Sequence, residues 1–208
     1  MNMKRIFSLT LFLFSAATCA AELIAPDEMI KNTANEVLEI IKKDKDIQAG
    51  NKQKVKELIE NKVLPQFDFT HMTRLAVGRF WNQATPAQQQ ELTSEFRSLL
   101  VRTYSASLNS YRDQTIDYKP FKLNPADTDA VIKTVIVQSK GRGIPIDYTV
   151  NKTTSGWKIY DIAVDGVSLV VNYRSSFAQE IQQGGIPKLI STLQAKNSSG
   201  VAVEPKKY

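Results

Sequence analysis

The spacing of apolar residues changes twice along this chain, and this change constrains its fold more than any other feature of the sequence. Apolar residues recur every three to four positions as far as Tyr111, which is typical of helices. From Thr115 to Val164 they recur about every second position, which is typical of strands, and helical spacing returns from Leu169. This order predicts an α+β fold, with helices packed on one face of a curved, mostly antiparallel sheet of about four strands.

Proline, glycine and capping residues divide the helical parts into about six or seven helices. The longest predicted helix begins at Thr85 and Pro86, where Gln88 completes a capping box, and continues to Tyr111. The pair Gly184–Gly185 separates two helices after the sheet. We see no internal repeat and no linker, so the sequence predicts a single domain.

Alternation within the strands assigns one set of apolar residues to the face that packs on the helices. These residues are Val135, Ile146, Tyr148, Val150, Trp157 and Ile159. The same pattern is produced by an ordinary filled core and by the wall of an apolar cavity. Both interpretations stay open at this point.

The first 21 residues have the features of a secretory signal peptide. Lys4 and Arg5 form a basic head, a short apolar run follows, and small residues fill positions 16–21, so we expect cleavage after Ala20 or Ala21. The apolar run has about half the length that a membrane-spanning helix needs. The sequence therefore predicts a signal peptide over 1–21, one domain over 22–197 and a flexible tail over 198–208.

The scarcity of cysteine and histidine removes most catalytic and metal sites from consideration. The single cysteine, Cys19, lies in the predicted signal peptide, and the single histidine, His71, has only Asp68 nearby, three residues earlier. We interpret that pair as a local hydrogen-bonded contact in a helix. The sequence predicts no enzyme, no catalytic residue, no metal and no cofactor.

The charge of the chain indicates a mildly basic protein. The 27 basic and 21 acidic side chains give a net charge of +6, and loss of Lys4 and Arg5 with the signal peptide leaves about +4. The basic residues are scattered, and no basic stripe with interleaved aromatic residues is visible, so nucleic acid is excluded as a partner.

Two long runs resemble one known family. The first extends from Leu64 to Trp81 (LPQFDFTHMTRLAVGRFW) and continues through ATPAQ to EFRSLLVRTY, and the second is GWKIYDIAVDGVSLV from Gly156, followed by NYR and Phe177. Together they resemble the MlaC and toluene-tolerance family of periplasmic phospholipid-binding proteins. The two runs extend over nearly the whole chain after the signal peptide.

The resemblance implies a fold with the character of the nuclear-transport-factor cone, in which two acyl chains insert between sheet and helices. It implies a periplasmic carrier, expected to be a monomer, that moves phospholipid between the outer and inner membranes and maintains outer-membrane lipid asymmetry. The implied partners are phospholipid as cargo, an outer-membrane lipoprotein of the MlaA type with its porin, and an MlaD-type subunit of an inner-membrane ABC transporter. The implied direction is from outer to inner membrane.

Combining the family's apolar pocket with the alternation gives a set of candidate lipid-binding residues. They are Tyr104, Leu108, Tyr148, Val150, Trp157, Ile159, Val167, Val170 and Tyr173. Arg79, Arg102 and Arg174 are candidates for contact with a phosphate at the cavity mouth or with a partner, and ordinary solvated surface arginines are the alternative. Two other functions stay open: a periplasmic adaptor without ligand, and a small isomerase or dehydratase of the same cone fold.

Overall fold

The computed structural model describes residues 23–109, 114–138 and 141–199, with side chains as far as Ser105 in the helix that ends at Asn109. The predicted signal peptide and residues 200–208 of the predicted tail lie outside the described residues, whereas Ser198, the first residue of that tail, belongs to the last helix.

Six helices and five strands make up this part of the chain. The helices are α1 (Pro26–Lys43), α2 (Lys45–Gln48), α3 (Lys52–Leu58), α4 (Phe69–Val77), α5 (Pro86–Asn109) and α6 (Leu169–Ser198). The strands are β1 (Thr115–Tyr118), β2 (Asp129–Val137), β3 (Ile144–Thr153), β4 (Gly156–Val164) and β5 (Val167–Ser168). A π-helical turn (Ile59–Val63) and a 3₁₀ turn (Leu64–Gln66) follow α3, and a second 3₁₀ segment (Gly78–Gln83) follows α4.

The long helix α5 begins as its capping residues predict. The Gln88 backbone nitrogen donates to the Thr85 hydroxyl at 3.3 Å, and the Thr85 backbone nitrogen donates to the Gln88 side-chain oxygen at 2.9 Å. Each bond satisfies a donor that the first turn of a helix leaves without a partner. Helix α5 packs against α3, α4 and α6, so it holds the helical layer together.

The strands form a single antiparallel meander in the order β1-β2-β3-β4-β5, which confirms the predicted architecture. The sequence indicated about four strands, because the fifth has only two residues and is too short to show a period of two. Between Thr149 and Val150 the register with β4 shifts, so that Tyr160 is an extra residue on β4. Such a bulge bends the strand and increases its twist.

The register defines which residues share the face that packs on the helices, called the inner face here. Ile132 lies opposite Tyr148, and Ile136 lies opposite Ile144, so these side chains share that face. Val135 lies opposite Pro145 and points to the other face, so its predicted inward position was wrong. Strand β2 has apolar residues on both of its faces, and alternation alone therefore does not identify the face that packs on the helices.

One end of the inner face is closed by α1. Ile30 of α1 packs with Ile132, Val150, Trp157 and Ile159, each of which is at most 4% exposed. A second buried cluster lies within the helical layer, among α4, α5 and α6. Among the described residues, the two clusters share only half-buried side chains, namely Phe67 and Ile162.

The start of α6 is fixed to the sheet by one carboxylate. Asp161 of β4 accepts hydrogen bonds from the backbone nitrogens of Ile162 at 2.8 Å and Val170 at 3.1 Å, and from the Ser168 hydroxyl. Ser168 in turn caps α6, because its hydroxyl accepts from the Val171 backbone nitrogen at 3.0 Å. This network sets the angle at which α6 leaves the sheet.

Helix α6 is broken at the predicted glycine pair. Gly184 has extended backbone geometry, and Gly185 has a φ of 71°, a left-handed conformation that glycine adopts without strain. The second half of α6 then packs on α5, with the Asn197 side chain donating to the Glu95 backbone oxygen at 2.9 Å.

Candidate functional site

The inner face of the sheet changes in burial from one end to the other. The end beneath α1 is tightly packed. Toward the opposite end Thr134 and Ile146 are also buried, but apolar side chains around them remain half-buried although they point toward the helices. These side chains are Ile116, Ile136, Ile144, Tyr148, Ile162 and Val164. We call this set the inner strip. Residues 110–113 and 139–140, which adjoin this end in sequence, lie outside the described residues.

Aromatic residues of the helical layer are also half-buried. Tyr104 of α5 and Tyr173 of α6 pack at the margin of the helical cluster, together with Phe67 and Phe69. The Tyr173 ring contacts Phe96 edge-on, with centroids 5.0 Å apart. The sheet and the helical layer therefore both present partly exposed apolar surface, which is a feature of sites for apolar ligands.

The structure places the predicted lipid-binding residues in three situations. Val150, Trp157, Ile159 and Val170 are buried, whereas Tyr104, Tyr148, Val167 and Tyr173 are half-buried. Leu108 lies near the end of α5, and its side chain is outside the described residues. The assignment of these residues to lipid stays a prediction.

The three predicted arginines do not all lie together. Arg102 is half-buried between α5 and the end of α6, where it donates to the Asn197 backbone oxygen at 3.4 Å. Arg174 is exposed and donates to the Leu75 backbone oxygen at 2.9 Å, and Arg79 is exposed with its guanidinium 4.9 Å from the centre of the Phe80 ring.

Sequence reasoning missed most of the inner strip. Ile136, Ile144, Ile162 and Val164 were not among the predicted site residues, although they are apolar and lie in predicted strands. The clean alternation of β3 was a usable signal for Ile144, since it shares its parity with Tyr148. The inner face of β2 can be identified only from its register with β3. In β4, the bulge at Tyr160 changes which alternate residues point inward, so the alternation before the bulge does not predict Ile162 and Val164.

Two tyrosines give the inner face a polar component. Burial raises the pKa of Tyr148, against the opposing effect of its hydrogen bond with Thr134, and burial also raises the pKa of Tyr118. The buried Tyr118 hydroxyl has no hydrogen-bond partner within the described part of the chain. It is therefore a phenol that can still donate a hydrogen bond at the edge of an apolar surface.

These pKa values predict how stability depends on pH. The pKa of each phenol is higher in the folded than in the unfolded chain, so the stabilisation is complete below about pH 10 and is lost as pH rises beyond it. We expect the free energy of unfolding, measured with urea, to fall between about pH 9 and pH 11, and to fall less in a Tyr118→Phe/Tyr148→Phe chain. Equal slopes in the two chains would contradict this assignment.

The single histidine and its neighbouring aspartate do not contact each other through their side chains. The Asp68 carboxylate accepts from the His71 backbone nitrogen at 2.8 Å and caps α4, so the expected contact exists but involves the backbone and not the imidazole. The imidazole stacks on Tyr160, with centroids 4.2 Å apart. No group of three His, Cys, Asp or Glu side chains within the described ranges is arranged to hold a metal ion.

Two surface depressions lie away from the inner strip. One, of about 450 Å³, is bordered by Lys43, Asp44 and Lys54, and the other, of about 500 Å³, lies along Lys188 and Lys196 at the end of α6. Both are open to solvent and bordered by charged residues, so neither suits an apolar ligand.

An antiparallel meander with helices over one face is an α+β architecture, and partly exposed apolar surface between the two layers is compatible with an apolar ligand. The sequence profile of the MlaC protein family matches residues 31–195. The chain belongs to the MlaC family. Within residues 23–109, 114–138 and 141–199, none of the helices combines the length and the apolar character required to cross a bilayer.

Named relatives agree with this membership. The toluene tolerance protein ttg2D of Pseudomonas putida is 23% identical over 184 residues, which cover 88% of this chain and 84% of the relative. The intermembrane phospholipid transport system binding protein MlaC of Haemophilus influenzae is 21% identical, and the alignment covers 96% of each chain. The crystal structure of a phospholipid-binding protein from Ralstonia solanacearum in complex with a phospholipid has a TM-score of 0.78 and 40% identity, and covers 84% of this chain and 97% of its own.

Proposed function

We propose that this protein is a periplasmic carrier that holds one phospholipid by its acyl chains against the inner strip and performs no chemistry on it. The observation that carries the proposal is the strip itself: apolar side chains on the helix-facing side of the sheet remain half-buried where an ordinary core would cover them. The 40% identical relative from Ralstonia solanacearum, whose structure contains a phospholipid, supports the choice of ligand.

The energetics of acyl chains require such a surface. Two chains contain about 30 methylenes, and at about 0.8 kcal/mol each their exposure to water costs roughly 24 kcal/mol. A carrier must therefore replace the bilayer with apolar protein surface. Since bilayer and protein surface are similarly apolar, the net free energy of transfer is small, and the direction of transport is set by the partners.

The inner face also offers a place for the polar part of a lipid. The Tyr118 hydroxyl lies on β1 beside Tyr148 and lacks a hydrogen-bond partner among the described residues. An ester carbonyl of the glycerol backbone would accept a hydrogen bond from it and remove the cost of a buried, unpaired hydroxyl. Tyr118 is thus our candidate for contact at the junction between acyl chains and head group.

Membership of the MlaC family supports the pathway in which we place this carrier. We propose that it moves phospholipid between the outer and inner membranes, receiving it from and delivering it to an MlaA-type lipoprotein with its porin and an MlaD-type subunit of an ABC transporter. The relative from Haemophilus influenzae is named as the binding protein of an intermembrane phospholipid transport system. In this role the protein needs no cofactor and no metal, and it maintains outer-membrane lipid asymmetry.

Lipid extraction tests the proposal directly. The exported protein is purified without detergent, extracted with organic solvent and analysed by mass spectrometry, and we expect roughly one phospholipid per folded chain. A chain that carries no phospholipid, and takes up none after incubation with phospholipid vesicles, would be the adaptor without ligand. Conversion of the bound lipid into a product during incubation would instead indicate an enzyme.

A further inference from the structure

Three exposed arginines lie where α4 ends against the first half of α6. Arg74 is in the last turn of α4, Arg79 is in the 3₁₀ segment that follows, and Arg174 of α6 donates to the Leu75 backbone oxygen at 2.9 Å. Helix α6 packs on both α4 and the 3₁₀ segment, and the contact with Leu75 brings Arg174 to the residue that follows Arg74. We call Arg74, Arg79 and Arg174 the arginine patch.

The sequence keeps carboxylates away from this patch. Residues 69–90 and 166–179, the segments that contain the three arginines, have no Asp or Glu, although the chain has 21 acidic residues. Within the ranges that the structure describes, the ion pairs involve lysines and Arg142, and no arginine of the patch takes part in one. The positive charge of the patch is therefore not neutralised within the protein.

The cations of the patch are all of one type. Lysines outnumber arginines 19 to eight in the whole chain, yet residues 63–118 and 159–187 contain no lysine. A membrane surface attracts lysine and arginine alike. A guanidinium, in contrast, binds a carboxylate through two parallel hydrogen bonds, and arginine is enriched in protein interfaces where lysine is depleted.

An apolar anchor lies beside the arginines. Val171 is 60% exposed and precedes Arg174 by one helical turn, and the half-buried Phe80 ring lies under the Arg79 guanidinium. An exposed apolar side chain one helical turn from an arginine is a combination that protein docking sites use. From these observations, we propose that the arginine patch docks a carboxylate-rich segment of a partner protein, with Val171 as its apolar contact.

The proposal rests on the proposed function in one respect, because a carrier has to dock on the proteins that load and unload it. The patch shares no residue with the inner strip. Lipid content and docking can therefore be measured independently in the same variants.

Fluorescence anisotropy tests the docking. The probe is a fluorescein-labelled amphipathic helical peptide with glutamates and leucines, and the control peptide has glutamines in place of the glutamates. An Arg74→Gln/Arg79→Gln/Arg174→Gln chain is expected to bind the glutamate peptide about tenfold more weakly at low salt. The matched control, Lys31→Gln/Lys45→Gln/Lys52→Gln, removes the same charge from exposed positions on α1, α2 and α3 and is expected to lose less than about threefold.

An Arg74→Lys/Arg79→Lys/Arg174→Lys chain tests whether binding depends on the paired hydrogen bonds of the guanidinium groups. It keeps the charge but loses the paired hydrogen bonds, so we expect it to bind nearly as weakly as the glutamine triple. Unaltered melting temperature and unaltered lipid content in every variant would show that folding and the inner strip are intact.

Several results would overturn the proposal. The first is absence of peptide binding by the unaltered protein. The second is an equal loss of affinity when the three arginines and when the three control lysines are replaced by glutamine. The third is full affinity in the chain that has lysine at the three arginine positions. Patch-dependent binding to phosphatidylglycerol vesicles without binding to the peptide would assign the patch to a membrane and also overturn it. If the unaltered protein carries no phospholipid but binds the peptide through the patch, the carrier function fails and the docking site stands.

Discussion

Replacing Ile136 by aspartate is expected to abolish co-purified phospholipid. Ile136 is half-buried on the inner face, opposite Ile144 on β3 and Ile116 on β1, at the centre of the open end of the inner strip. A carboxylate there would have to lie against acyl chains without a cationic partner, which costs several kcal/mol. We expect at least a tenfold loss of lipid per chain, since each 1.4 kcal/mol changes an equilibrium tenfold.

The neighbouring residue provides the control. Val137 follows Ile136 on β2, points to the opposite face and is 43% exposed. A Val137→Asp chain places the same charge on the same strand but away from the inner strip, so its lipid content is expected to match that of the unaltered protein. The phospholipid content of both purified chains is measured by phosphate assay and by mass spectrometry. Equal lipid content in the two variants would remove the inner strip from the binding site.

The order of the elements was predictable because each depends on local sequence. The capping box at Thr85 and Gln88, the break at Gly184–Gly185 and the alternation in β3 all involve residues within a few positions of one another. Local hydrogen bonds and backbone preferences determine these features, so a single sequence contains the information.

The orientation of β2 was not predictable in the same way. Both of its faces carry apolar residues, for example Ile136 on the inner side and Val137 on the outer side. Which side packs on the helices depends on how β2, β3 and β4 pair. These strands extend through the sequence from Asp129 at the start of β2 to Val164 at the end of β4, 35 positions later. The misplacement of Val135 has this cause.

Burial within the candidate site could not be inferred from periodicity either. Val150 and Tyr148 are two residues apart on the same face of β3, yet Val150 is fully buried beneath α1 and Tyr148 is half-buried. Ile146, two residues beyond Tyr148 on the same face, is buried again, so burial does not follow from position along the strand. A substitution that enlarges Val150 would thus disturb a packed cluster, whereas substitution of Ile136 or Ile144 reports on the exposed part of the inner face.

The second large effect concerns the helical layer that faces the strip. Phe96 of α5 is completely buried and lies edge-on to both Tyr173 and Phe177 of α6, with ring centroids 5.0 Å apart in each case. Truncation to alanine removes these contacts and leaves a cavity between α5 and α6. We expect a Phe96→Ala chain to lose about 3–5 kcal/mol in the free energy of unfolding, measured by urea denaturation.

A lipid-free sample is needed for this measurement, because a ligand that binds the folded chain adds to its apparent stability. The control is Phe80→Ala: Phe80 is half-buried at the edge of the same cluster, so we expect its loss to stay below about 2 kcal/mol. Because the ring of Tyr173, a candidate lipid-binding residue, packs on Phe96, the truncation also removes part of its support, and lipid retention is expected to fall with stability. A loss below about 1 kcal/mol for Phe96→Ala would mean that α5 and α6 are not joined through these three rings.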